Sequence, residues 1–230
     1  GVMFHIFIYI FQRTAMPRLA AIALATWKSG MTQPLFWILM IMGGVLLFWF
    51  IYIPYNTFGE DIKVVKDSGM TLIMVLCIIQ AVWAAGTSIS DEIEGRTALT
   101  VLSKPIGRRS FIIGKFMGIF WTVTVMFCWL GLLLMATVTY KAVYDAHENS
   151  MEEPIWQLCM LEMMGVIPGL LLGFMETCVL AAISVAISTR LPMIANFIIS
   201  FAIYVLGNLA PLLVQNAVVN ELFEPNSTER

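Results

Sequence analysis

Charge disappears from this chain in long blocks. No Asp, Glu, Lys or Arg falls between Lys28 and Glu60, from Ser68 to Ser90, from Phe116 to Tyr140 or from Leu191 to Asn220, and Met163 to Thr189 carries only Glu176. A helix of about 20 apolar residues crosses the roughly 30 Å hydrocarbon core of a bilayer. The pattern therefore predicts an all-α, polytopic transmembrane helical bundle with five spans, at 34–54, 69–90, 113–139, 163–188 and 192–214. Ahead of the first span, Leu19, Ile22, Ala23 and Trp27 fall at helical spacing on one face, with Arg18 and Lys28 near the ends. This predicts an amphipathic helix over 16–33 lying in the membrane interface. The alternative is an extension of the first span, broken at Pro34.

Composition agrees with a membrane protein. The hydrophobic fraction is 60% and the charged fraction 12%, about half the charge of a soluble domain, and the mean hydropathy is +0.86. A formal net charge of -2 says little about partners, and with no basic stripe of interleaved aromatics nothing suggests nucleic acid. Cys77, Cys128 and Cys178 lie inside apolar spans and Cys159 just before one. No CxxC occurs, and His5 and His147 have no ligand-like partner at useful spacing, so inert thiols and no metal site are expected.

The basic residues set an orientation. With the N-terminus in the cytoplasm, the inner segments hold Arg13, Arg18, Lys28, Arg96, Lys104, Arg108, Arg109, Lys115 and Arg190, and the outer ones Lys63, Lys66, Lys141 and Arg230. Nine against four is a positive-inside bias. One outer loop is acidic instead, with Asp145, Glu148, Glu152 and Glu153. At the start, Val2 to Phe11 is apolar but too short to span and lacks the basic flank of a signal peptide. Residues 1–15 are therefore expected to be a non-native or upstream extension. Residues 221–230 read as an external, truncated tail.

Three acids followed by five bases set apart the loop Asp91–Lys115, DEIEGRTALTVLSKPIGRRSFIIGK. Gly95 and Pro105 bracket Arg96 to Lys104, a short helix of about 13 Å at 1.5 Å per residue. Leu99 and Leu102 share a face, with Thr97 and Thr100 beside them. On pattern alone this segment reads equally as a docking surface for a soluble partner or as a solvated loop whose charges set topology.

The run Asp91-Glu92-Ile93-Glu94-Gly95-Arg96-Thr97, then Leu99, Leu102-Ser103-Lys104-Pro105, Arg108-Arg109 and Gly114-Lys115, resembles the loop between the second and third spans of ABC type 2 transporter permeases. The resemblance extends over most of the chain and includes the interfacial helix and the tight Arg190-Leu191-Pro192 turn. It implies a permease subunit that moves a substrate across the plasma (inner) membrane of a bacterium, by export, with ATP hydrolysed in a separate ATPase subunit. It also implies a second permease subunit, identical or related. Glu92, Glu94, Gly95, Arg96, Thr97, Leu99 and Leu102 would then couple to the ATPase: acids paired with its basic groups, Gly95 in a tight turn, leucines in a groove. Lys104, Arg108 and Arg109 would anchor the loop at the inner leaflet. The family has six spans, so this chain is expected to be a fragment lacking the last.

No phosphate-binding loop is present: six residues separate Gly107 from Gly114, and Phe116 follows the lysine, where GxxxxGK[ST] requires four residues and a hydroxyl. ATP and magnesium are thus expected in the partner, with no cofactor and no catalytic residue here. Glu176 lies mid-span, where an exposed charge costs at least about 2.5 kcal/mol. It reads either as part of a translocation path or as an intramembrane contact, to Thr or Asn on the fifth span or to a second copy. Glu162, nearer the end of its span, reads as solvated. Gly165, Gly169 and Gly173 form a small-xxx-small ridge for close helix packing, interrupted by Pro168, where a kink is expected. A membrane enzyme lacks a polar constellation here, and no inverted repeat supports a secondary transporter. That transporter, or an anchor subunit without an ATPase, remains the alternative.

Overall fold

A computed structural model describes residues 17–53, 61–90, 108–148 and 156–223, and every regular element among them is helical. In chain order these are α1 (Pro17–Thr32), α2 (Pro34–Trp49), α3 (Asp61–Ala85), α4 (Arg108–Glu148), α5 (Trp156–Met164), α6 (Val166–Ser188) and α7 (Met193–Phe223). A five-residue π-helical turn, Gly86–Ser90, closes α3. Four of these stretches are long and apolar enough to cross a membrane unaided. The bent pair α1–α2 makes a fifth if it counts as one span. The 41 residues of α4 extend about 60 Å, twice the thickness of the hydrocarbon core.

Proline sets two of the breaks. Gln33, before Pro34, is held extended at φ -68°, ψ 135°, because a following proline ring disfavours the helical region. The chain turns there by 59°, and Pro34 opens α2 where its missing N–H costs nothing. Pro168 stands in the first turn of α6. Its ring would clash with the carbonyl of residue 164 in a continuous helix, so the break falls at Gly165 and not at the proline itself. The expected kink is therefore a restart three residues earlier.

The core lies between α2, α3 and α4, where Phe36, Ile73, Leu76, Met126, Leu130 and Leu134 are all buried. Gly43 brings α2 against Leu76 and Leu130. α1 does not stand apart from the bundle: it crosses α4 at Gly118, where an added Cβ would lie 2.6 Å from the Ala23 carbonyl oxygen. The glycine ridge of α5–α6 packs on α3 of the same chain, Gly165 beside Lys66, Gly169 beside Met70 and Gly173 beside Met74. Matching steps of four in the same direction show that α3 and α6 run parallel. α3 is the central helix, with 61% of its apolar window buried against 17% for α7.

Candidate functional site

Three connections meet at the end of the bundle that carries the 91–107 loop. The π-helical turn leaves α3 there, and its Thr87 hydroxyl accepts a hydrogen bond from Gln33 Nε2 at 3.0 Å. Thr87 in turn donates to the Trp83 carbonyl at 3.0 Å. The α1–α2 break is thereby tied to the exit of α3. On the other side, a Cβ at Gly86 would come 2.6 Å from Met193 Cγ, so the same turn rests on the start of α7. π-helical turns inside longer helices recur at functional sites because they widen the ladder and free backbone groups. Two buried polar atoms on these segments, Gln33 Oε1 and Ser88 Oγ, have no partner among the described residues; the others are Trp27 Nε1 within α1 and both amide atoms of Gln80 within α3.

The hairpin between α6 and α7 is locked at this end by Asn196. Its amide donates to Ser184 Oγ at 3.0 Å and Ser188 Oγ at 2.8 Å, and its carbonyl accepts from Ser200 Oγ at 3.1 Å. All four side chains are buried. Backbone N–H groups of Arg190 and Leu191 both reach the Ile187 carbonyl, at 2.9 and 3.0 Å, closing the tight turn before Pro192.

Of the expected coupling residues, Glu92, Glu94, Gly95, Arg96, Thr97, Leu99 and Leu102 lie outside the described residues, as does Lys104. Arg108 opens α4, and Arg109 follows on its exposed surface. Lys115 is buried, with its ammonium 5.5 Å from the centre of the Phe111 ring.

Glu176 stands 12 residues before Ser188, about 18 Å from the loop end of α6 at 1.5 Å per residue, well inside the span. Its Oε1 accepts a hydrogen bond at 3.3 Å from Asn208 Nδ2 on α7, and the same amide donates to the Tyr204 carbonyl at 3.1 Å. Of the contacts the sequence leaves open for Glu176, the one formed within the chain is thus to an Asn of the fifth span. Glu176 is half-buried and Asn208 exposed, so the pair faces outward from the single chain.

Two charged contacts at the opposite end escape sequence reasoning. Lys66 Nζ pairs with Glu162, so Glu162 is not simply solvated: the Gly165 break brings α5 beside the first turns of α3. Lys141, buried on α4, donates to the carbonyls of Ile51 and Ile53 at 3.2 and 3.3 Å and pairs with Asp145 at 3.0 Å. Gln80, Asn196 and Asn208 were visible as lone amides inside apolar spans, a signal that charge counting ignores. An apolar groove of about 470 Å³ also lies between α4 and α6, beside Phe127, Gly131, Leu170 and Phe174. It lacks the converging polar groups of a recognition site.

Compared with known proteins, residues 11–228 match the family described as ABC-2 family transporter protein. No curated protein matches the chain.

Proposed function

The chain belongs to the ABC-2 family of transporter proteins, and from that membership we propose that it is the export permease of a bacterial plasma-membrane transporter, coupled to its ATPase subunit through the 91–115 loop. The observation that carries this reading is the junction at the loop end. The π-helical turn that enters the loop is bonded to Gln33 at the α1–α2 break and packed on Met193 at the start of α7. A displacement of the loop therefore reaches three helices at once, which is what a mechanical coupling element requires.

On this reading ATP and magnesium belong to the partner. Glu92, Glu94, Gly95, Arg96, Thr97, Leu99 and Leu102 form the docking surface, and Lys104, Arg108 and Arg109 hold the loop to anionic lipid at the cytoplasmic face. The N-terminus is cytoplasmic, and two permease subunits assemble with two ATPase subunits. The test is affinity purification of the full-length protein from its native membrane in mild detergent. A near-stoichiometric ATP-binding subunit, lost when Glu92, Glu94 and Arg96 are replaced together, is the expected result. Copurification that survives the triple replacement removes the coupling assignment. The absence of any ATPase under mild conditions favours a secondary transporter or anchor instead.

A further inference from the structure

The face shared by α6 and α7 combines three features that belong together in few settings. First, a carboxylate sits well inside a membrane span, with one neutral amide, Asn208, as its hydrogen-bond partner. No Lys or Arg among the described residues pairs with it; the ion pairs of Lys66 and Lys141 are made to Glu162 and Asp145 at the far end of the bundle. Second, the surroundings are apolar and open. Leu172 and Val179, one turn to either side of Glu176, are 75% and 60% exposed. Third, α7 carries two aromatic rings on the N-terminal side of Asn208, with centroids 6.4 Å apart: Tyr204, one turn away and buried, and Phe201, two turns away and exposed.

Each candidate occupant of this face meets the carboxylate differently. Lipid chains offer no counter-charge, and an ionised carboxylate facing hydrocarbon is unfavourable. A second copy placed by two-fold symmetry about this point brings another Glu176 against the first, and like charges in a low dielectric repel. A positive charge on an apolar body satisfies all three features. The carboxylate supplies the counter-ion, the exposed Phe201 ring supplies a quadrupole that favours cations, and Leu172 and Val179 take the apolar part.

We propose that the Glu176–Asn208 face is a binding subsite for a lipophilic cation, with Glu176 as counter-ion and Asn208 as the group that orients its carboxylate. The substrate class so named rests on the permease reading; the site itself does not.

The test uses the full-length protein in phosphatidylcholine nanodiscs, with radiolabelled tetraphenylphosphonium as the probe and neutral triphenylphosphine oxide as competitor. Saturable binding of the cation is expected, with the oxide competing at least about tenfold more weakly. Glu176→Gln should weaken cation binding by about tenfold or more, and Asn208→Leu by less. Equal competition by the oxide in the unsubstituted protein overturns the proposal without any variant. So does unchanged affinity in Glu176→Gln, including the case in which that variant separates a dimer into monomers, which would assign the face to subunit contact. Copurification of the ATPase is scored on the same preparations. If it fails while Glu176-dependent binding persists, the permease reading falls and the cation site stands.

Discussion

Lys141 Nζ lies 3.2 Å from the carbonyl oxygen of Ile51, ninety residues away in the chain. The contact holds the chain just beyond α2, where Ile51 and Ile53 follow the last helical residue, Trp49, and a cation near a helix C-terminus also meets the negative end of its dipole. Lys141 is only 2% exposed, and Asp145, one turn on, neutralises it. Lys141→Met should therefore remove one shared donor from the Ile51 and Ile53 carbonyls and the Asp145 carboxylate. A loss of about 1–3 kcal/mol is expected. Thermal unfolding in detergent checks it, and an unchanged midpoint would show that water replaces the ammonium at no cost.

Gly118 marks the crossing of α1 and α4. Gly118→Ala gains about 1 kcal/mol of helix propensity, but its methyl would meet the Ala23 carbonyl oxygen at 2.6 Å and Thr26 Cγ2 at 2.9 Å. Overpacking of this kind costs about 1–3 kcal/mol, so the net effect should be destabilising, with α1 more open to protease. Gly44→Ala is the control. Its new methyl meets Leu133 Cδ1 at 3.4 Å, an ordinary contact, and stability should hold or rise.

Asn196 on α7 reaches two serines of α6, Ser184 and Ser188, and accepts from Ser200 of its own helix. Interhelical hydrogen bonds within membranes average about 0.6 kcal/mol, with a maximum near 1.7, because each hydroxyl can fall back on a carbonyl of its own helix. Asn196→Val should then cost about 1 kcal/mol, less than a soluble core network would. A double-mutant cycle with Ser188→Ala, read by thermal unfolding, measures the direct term; zero coupling would remove Ser188 from the network.

Thr87→Val breaks the bond to Gln33 without touching the 91–107 loop. The ATPase subunit should still copurify, while transport per ATP hydrolysed falls by roughly fivefold, the equivalent of about 1 kcal/mol of coupling. Joint loss of copurification and transport would place Thr87 in docking instead of transmission.

The glycine ridge shows how far the pattern carries. Gly165, Gly169 and Gly173 at four-residue spacing require a partner helix at close range, and that much follows from the missing side chains. Which helix fills the space depends on Met70 and Met74 meeting them in parallel register, a contact between residues about a hundred apart. Similarly, Pro168 guarantees a disturbed helix, but the break settles at Gly165 because the clash falls on the residue four places earlier.

What the sequence determined by itself is what short-range chemistry controls. Runs without charge had to become helices, because backbone groups in hydrocarbon must be satisfied within their own segment. Pro34 had to break the chain after Gln33, and an intramembrane Glu176 had to find a polar neighbour. Only the tertiary structure decided which neighbour. Charge and polarity restrict the set of acceptable partners but carry no address, so Asn208 for Glu176, Glu162 for Lys66 and the carbonyls of Ile51 and Ile53 for Lys141 emerge only once the helices are packed. The same reason explains the junction at the loop end. Gln33, Thr87, Gly86 and Met193 lie on three separate connections, and only the packing of the bundle brings them together.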